Sequence, residues 1–139
     1  MTDQPDCIFC KIVAGEVPCF KLWEDADTLA FMDINPANPG HALVVAKEHH
    51  QDLFALPEAL LAACLRTAKK VAAAQREILE PDGLNLVQAN GPGAAQSVPH
   101  FHMHVLPRRQ GDDLPLNWEL RPGNMEEIGA LADRIRARL

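Results

Sequence analysis

Tyrosine is absent from the 139-residue chain, and two tryptophans with five phenylalanines bring aromatic residues to only 5 %. Single-stranded nucleic acid is held largely by stacking bases on clustered rings, and so sparse a set supplies no platform for it. Positive charge is scarce as well: 13 Lys and Arg against 19 Asp and Glu leave a net charge of −6 with histidine neutral. No basic stripe is available to displace counterions from a duplex, which counts against a nucleic-acid polymer as partner. A single phosphate on a small ligand is a different matter, because backbone N–H groups and a few side chains can hold it against an unfavourable overall charge. No run approaches the roughly 18 consecutive apolar residues of a membrane span. The acidic start, MTDQPD, also lacks the basic region and apolar stretch of a secretory signal, so the chain reads as cytoplasmic. Four cysteines, Cys7, Cys10, Cys19 and Cys64, are too few and too unevenly spaced for a disulfide framework. Repeats, low-complexity tracts and a linker are missing too, so residues 1–139 read as one domain with one core.

What is present is a well-punctuated α+β pattern. Lys21 to Trp23 and Thr28 to Met32 read as two short strands joined by the turn chemistry of EDAD. The Pro/Asn/Gly-rich stretch Asp33 to His41 is a loop, and His41 to Lys47 reads as a buried strand. Apolar residues recur at helical spacing from Pro57 to Leu79, predicting one long amphipathic helix stopped by EPDG. Leu84 to Asn90 alternates as a strand, Gly91 to Ser97 is a glycine-bearing loop, and a last strand follows. Asn124 with Glu127 makes a capping box for a C-terminal helix whose apolar face carries Ile128, Leu131, Ala132 and Ile135. This order predicts an antiparallel sheet with the central and C-terminal helices packed mainly to one side.

The last strand contains HFHMHVL, three histidines at alternate positions. Residues i, i+2 and i+4 of a strand share a face at spacings of roughly 6.6 Å, so His100, His102 and His104 project together while Phe101, Met103 and Val105 project into the core. A merely polar outer face would use Thr, Lys or Glu, which are better solvated. Two functional readings remain open on these residues alone. Neutral imidazoles chelate transition metals; alternatively, one imidazole attacks phosphorus and forms a phosphoryl-histidine that water resolves. The second needs a phosphate cradle, and NGPGAAQS, Asn90 to Ser97, lies immediately upstream with backbone donors, two amides and a hydroxyl.

Taken together, CIFCKIVAGEVP, LAFMDINPANPGHALVV, KEHH, GPGAAQSVPHFHMHVLPR and the following GDDL…W closely resemble the histidine triad (HIT) superfamily of nucleotide hydrolases and transferases, near its Hint and diadenosine-polyphosphate hydrolase branches. The resemblance implies that His102 is the nucleophile toward the α-phosphate and that His104 contacts the same phosphate. It implies phosphate and leaving-group contacts from Ser97 and Asn90 with Gln96 close by. Ribose contacts would come from Asp33, assisted by Asn35, and His41 would orient the triad. The substrate class is a small purine nucleotide: a nucleoside 5′-phosphoryl conjugate such as a phosphoramidate or a dinucleoside polyphosphate. Transferase relatives typically carry glutamine at the position of His104, so the hydrolase side is favoured. The net acidity opposes a deadenylase acting on nucleic-acid ends. A zinc-stapled nucleotide-binding or scaffold protein with little turnover is the alternative from another class. A homodimer is also implied. One departure is Ala95, where relatives usually have glycine; a requirement for positive φ there would alter the loop.

Cys7-x-x-Cys10 is half of a structural zinc site, or else a pair of small buried residues. The same resemblance implies zinc, held with His49 of KEHH and with His100, and it needs no metal at the catalytic histidine. His50 is the neighbour that could replace His49. Cys19 and Cys64 are expected to be non-ligands, Cys64 because it lies on the apolar face of the long helix.

Overall fold

The computed structural model describes residues 4–115 and 118–139. Its centre is a five-stranded sheet in which each neighbouring pair of strands is antiparallel: β1 (Lys21–Glu24), β2 (Thr28–Met32), β3 (Ala42–Ala46), β4 (Gly83–Val87) and β5 (His102–Arg108), in spatial order β1-β2-β3-β5-β4. Among the described residues three α-helices accompany it: α1 (Ile8–Val13), α2 (Glu58–Leu79) and α3 (Met125–Arg136). The α+β class, the long helix and the C-terminal helix are as the sequence predicts.

Register decides which side chains meet. Val45 lies opposite His102 and Leu43 opposite His104, while on the neighbouring pair Phe31 faces Leu43 and Leu29 faces Val45. These residues therefore share one face, and Ala30, Ala42, Val44, Ala46, Met103 and Val105 share the other. The second face is the main core, closed by α2 through Cys64, Ala68 and Val71. A buried hydroxyl pair, Thr28 Oγ1 to Thr67 Oγ1 at 2.7 Å, ties α2 to β2. The Gln75 amide donates from α2 to the Gly40 and Val105 carbonyls, linking the helix to the loop before β3 and to β5. Gly40 has φ +91°, which favours glycine at the turn, and a Cβ there would lie 2.3 Å from Leu79 Cδ1 and displace that side chain's end.

Three expectations need correction. The helices do not pack mainly to one side: α1, a helix the sequence reading lacks, packs Phe9 against the histidine face beside Phe31, Leu43 and Val45. Helices consequently cover both faces of the sheet. His100 precedes β5 instead of belonging to it, although its ring still shares the covered side with His102. The third correction concerns α3, which forms where expected, with Asn124 Oδ1 capping Glu127 N–H, but buries no residue. Its stripe of Met125, Ile128, Leu131 and Ile135 is at least half exposed.

Candidate active site and metal cluster

The triad histidines are distinguished by which ring nitrogen holds the proton. Burial holds His104 and His100 down to about 4 and lowers His102 as well, so all three are neutral at pH 7, each with one N–H and one lone pair. His102 Nδ1 lies 2.7 Å from the backbone carbonyl of His100, which can only accept. The proton is therefore on Nδ1, and Nε2 carries the lone pair. His100 is the reverse: its Nε2 donates to the Ala46 carbonyl at 2.6 Å, leaving the Nδ1 lone pair exposed toward α1. The Phe9 ring stands edge-on to His102 at 5.0 Å and to His100 at 5.8 Å, which fixes both rings and excludes water from one side.

The third ring is set by a relay. Ala37 N–H donates to His41 Nδ1 at 3.0 Å, so neutral His41 is protonated on Nε2. That Nε2 lies 2.8 Å from His104 Nδ1, which accepts, and the remaining His104 proton sits on Nε2. Asp33 Oδ2 is 3.6 Å from His41 Nε2, while its Oδ1 accepts the Asn35 N–H at 2.8 Å in an Asx turn. The ligand atoms of Asp33, His41 and His104 lie within 4.8 Å of one another. An ion bound there would have to displace the His41 Nε2 proton while Ala37 still donates to Nδ1, which would require an imidazolate. The set suits proton positioning better than metal binding.

A different quartet suits a metal. Cys7 Sγ lies 3.3 Å from His100 Nδ1, Cys10 Sγ 3.6 Å from His100 Nδ1 and 3.4 Å from His49 Nδ1, and the two Nδ1 atoms are 3.1 Å apart. Zinc with Zn–S of about 2.3 Å and Zn–N of about 2.0–2.1 Å imposes tetrahedral edges of about 3.6 Å between S and N and about 3.3 Å between nitrogens. The four residues fit. Cys7 is also the N-cap of α1, its Sγ accepting the Cys10 N–H at 3.3 Å. His50 turns away, its Nε2 2.8 Å from Glu48 Oε1, so geometry brings His49 and not His50 to the cluster. Cys64 is fully buried in the main core, its thiol pushed up to about 12 by burial, and Cys19 packs at the edge of the smaller cluster.

The loop residues divide by what they already bond. Gln96 is fully engaged within the protein: its Oε1 accepts Gly91 N–H at 2.8 Å and its Nε2 donates to the Gln51 and Val98 carbonyls. Asn90 accepts Leu53 N–H and exchanges bonds with the Gln88 amide. The Ser97 hydroxyl and the Asn35 side chain are exposed. Ser97 borders the cavity lined by Cys7, Ile8 and His49. Ala95 does adopt the left-handed conformation, φ 59° and ψ 38°, and so tolerates about 1 kcal/mol of strain that glycine would avoid. Trp118 is 82 % exposed and belongs to no core; Leu116 and Asn117 of the same segment lie outside the described residues. The residues that sequence reasoning missed are Phe9 and the backbone groups of Ala37, Ala46 and His100. Only Phe9, between the two cysteines' flanks, left a trace as an apolar residue.

Comparison with known proteins identifies the family. The family model of the HIT domain matches residues 14–111, which leaves α1 and α3 outside it. The chain is 42 % identical over 134 residues to adenosine 5′-monophosphoramidase hnt1 of Schizosaccharomyces pombe, covering 96 % of this chain and 98 % of that protein. It is 36 % identical to adenylylsulfatase HINT3 of Arabidopsis thaliana, over 99 % of this chain and 72 % of the relative. Among solved structures, SMU.412c of Streptococcus mutans superposes with a TM-score of 0.93 at 36 % identity, covering 98 % of this chain and 87 % of that one. A zinc-bound histidine triad family protein of Mycobacterium smegmatis superposes with a TM-score of 0.75 at 38 % identity, covering 95 % and 97 %. With the fold, the alternate histidines and the full-length relatives all in accord, the chain belongs to the HIT family.

Proposed function

We propose that this protein hydrolyses a nucleoside 5′-phosphoryl conjugate, a phosphoramidate or a dinucleoside polyphosphate, at its α-phosphorus through a nucleotidyl intermediate on His102, with residues 1–139 acting as one catalytic domain. The observation that carries the reading is the His102 tautomer, with Nδ1 committed to the His100 carbonyl and Nε2 left as a lone pair. The Nε2 lone pair attacks phosphorus, and the bond to the leaving group breaks with its electron pair going to that group, which takes a proton from water. The Nδ1–H bond to the carbonyl stabilises the positive ring that results. Water then attacks phosphorus, the P–N bond returns its pair to His102, and a nucleoside monophosphate leaves. His104 presents its Nε2–H to a non-bridging oxygen, held in that tautomer by His41. The exposed Ser97 hydroxyl is the other phosphate donor. Asp33 Oδ2, 3.6 Å from His41 Nε2, accepts the ribose hydroxyls with Asn35 beside it. Asn90 and Gln96 hold the cradle in shape.

Two relatives support the chemistry, since one is named an adenosine 5′-monophosphoramidase and the other an adenylylsulfatase. Cys7, Cys10, His49 and His100 would hold a structural zinc, in line with the zinc-bound family member. When bound, the ion would supply a cross-link and no reaction chemistry, because four protein ligands leave no open position. Two copies are proposed to form a homodimer.

His102→Ala should reduce turnover of an adenosine phosphoramidate by at least about 10³-fold while adenosine monophosphate still binds. Acid-quenched wild-type protein should carry one adenylyl group on the peptide containing His102. Undiminished hydrolysis by His102→Ala would overturn the proposal, and binding without turnover in the wild type would point to the scaffold reading instead.

A further inference from the structure

We infer that Gln75, on α2 and across the sheet from the histidines, is a positioning residue for the hydrolysis, acting through the backbone on the His41–His104 pair. The inference rests on the reading above, in which His41 fixes the tautomer of His104.

The buried face of α2 is apolar except at two residues, Thr67 and Gln75. Thr67 is accounted for by its hydroxyl pair with Thr28 on β2. Gln75 is 8 % exposed, and its Nε2 donates both ways, to the Gly40 carbonyl at 2.8 Å and to the Val105 carbonyl at 3.0 Å. Its Oε1 has no hydrogen-bond partner among the described residues. A leucine or methionine would fill the same place without burying an unpaired acceptor, so core packing alone gives no reason for an amide.

The two carbonyls bracket the histidine relay. Gly40 precedes His41 in the chain, and Val105 follows His104. His41 lies just before β3; because Leu43 is opposite His104, His41 is diagonal to it on the same face. The β3–β5 register ends with Ala42 opposite Val105, and carrying it two residues on sets Gly40 beside Pro107, which has no N–H to give. A Cβ on Gly40 would lie 3.4 Å from Pro107 Cγ, in keeping with that juxtaposition. The ladder stops there, and the forked amide of Gln75 supplies a cross-link from the opposite layer. Asn38 holds the same loop from its own side, its Nδ2 donating to the Pro107 carbonyl at 3.0 Å.

The consequence is geometric. His41 Nε2 and His104 Nδ1 are 2.8 Å apart, in rings whose centres are separated by 5.1 Å. A hydrogen bond weakens steeply with length and angle, so a shift of about 1 Å between the two backbones breaks it. His104 is then free to take either tautomer and no longer keeps an Nε2–H facing the phosphate oxygen.

Nitrogen NMR of substrate-free protein with labelled histidines, combined with kinetics on an adenosine phosphoramidate, tests the inference. The wild type is expected to show coupling across the His41–His104 hydrogen bond. In Gln75→Met, which keeps the length and loses both donors, the coupling should vanish and kcat should fall at least about tenfold with KM within about twofold. Gln75→Asn, one methylene too short for the fork, should do the same and keeps the test available if the methionine disturbs folding. Thr67→Val removes the other buried polar tie of α2 and should lower the thermal midpoint while leaving coupling and kcat unchanged. A wild type without the coupling would overturn the relay and the inference together. Coupling and kcat retained in the Gln75 variants would overturn the role of Gln75 alone and leave the His102 chemistry standing. A fall in kcat with the coupling intact, a lost coupling with kcat unchanged, or an equal fall in Thr67→Val would each overturn it as well.

Discussion

His102 owes its lone pair to a carbonyl two residues earlier, and His104 owes its proton to an amide on a different loop. The spacing of the histidines was legible in the sequence because a strand repeats every two residues; the tautomers were not, because their hydrogen-bond partners are backbone groups of His100, Ala46 and Ala37 that any side chain could precede. The distinction has a pH consequence. Burial, then the positive fields that His102 and His41 would carry, hold His104 at about 4, whereas an unfolded imidazole titrates near 6.5. Between those values the unfolded chain binds a proton that the folded chain refuses. Stability is thus complete above pH 6.5 and declines as pH falls toward 4, by at most about 1.4 kcal/mol per unit for this group. Urea midpoints should be level above pH 6.5 and fall below it, with a shallower fall in His104→Gln. Because burial also lowers His102, kcat/KM should decline at a more acid pH than that of an ordinary imidazole. A decline centred on 6.5 would mean that the nucleophile is solvated.

The elements were read unevenly, for reasons that differ. The strands and α2 announce themselves by period, and Thr28–Met32 matches its expected span. Six-residue α1 does not, since it is too short to show a period and is held by burial of Phe9 and Cys10 and by its Cys7 cap. The periodicity of α3 gave its apolar face but could not say what covers it. For α1 the expected stabiliser is the metal cluster, which joins the helix to His49 and His100. Cys7→Ser separates the two duties of Cys7, because a serine hydroxyl can still accept the Cys10 N–H as a cap but lacks the thiolate. The variant should lose most bound zinc by elemental analysis and melt at least about 5 °C lower, a shift of about 1 kcal/mol or more in a chain of this size. Chelation of the wild type should reproduce the lower midpoint. Equal zinc content and equal melting in variant and wild type would show that the cap, and not a metal, secures α1.

At the scale of the whole molecule, charge constrains which conjugate is preferred. The chain carries −6 in total, and the proposed site residues Asp33, Asn35, His41, Ser97, His102 and His104 include one carboxylate and no lysine or arginine. Arg108, at the end of the strand that carries His102 and His104, is already committed: it is paired with Asp112 at 2.7 Å and hydrogen-bonds Asn85. The α-phosphate would be held by neutral donors, which suffice for one charge, while every further phosphate meets a negative field without a local counter-charge. Salt screens that repulsion over a Debye length of about 10 Å at 0.1 M. Raising ionic strength from about 0.02 to 0.2 M should therefore increase kcat/KM for diadenosine tetraphosphate several-fold. For an adenosine phosphoramidate with a single charge the change should stay below about twofold, because little long-range repulsion remains to be screened. A fall in kcat/KM with salt for the tetraphosphate would reveal a basic surface guiding it, supplied by groups outside these six. The expected ordering, with the phosphoramidate least sensitive to salt, follows from a site that recognises one phosphate through backbone-oriented histidines and leaves the rest of the conjugate to solvent.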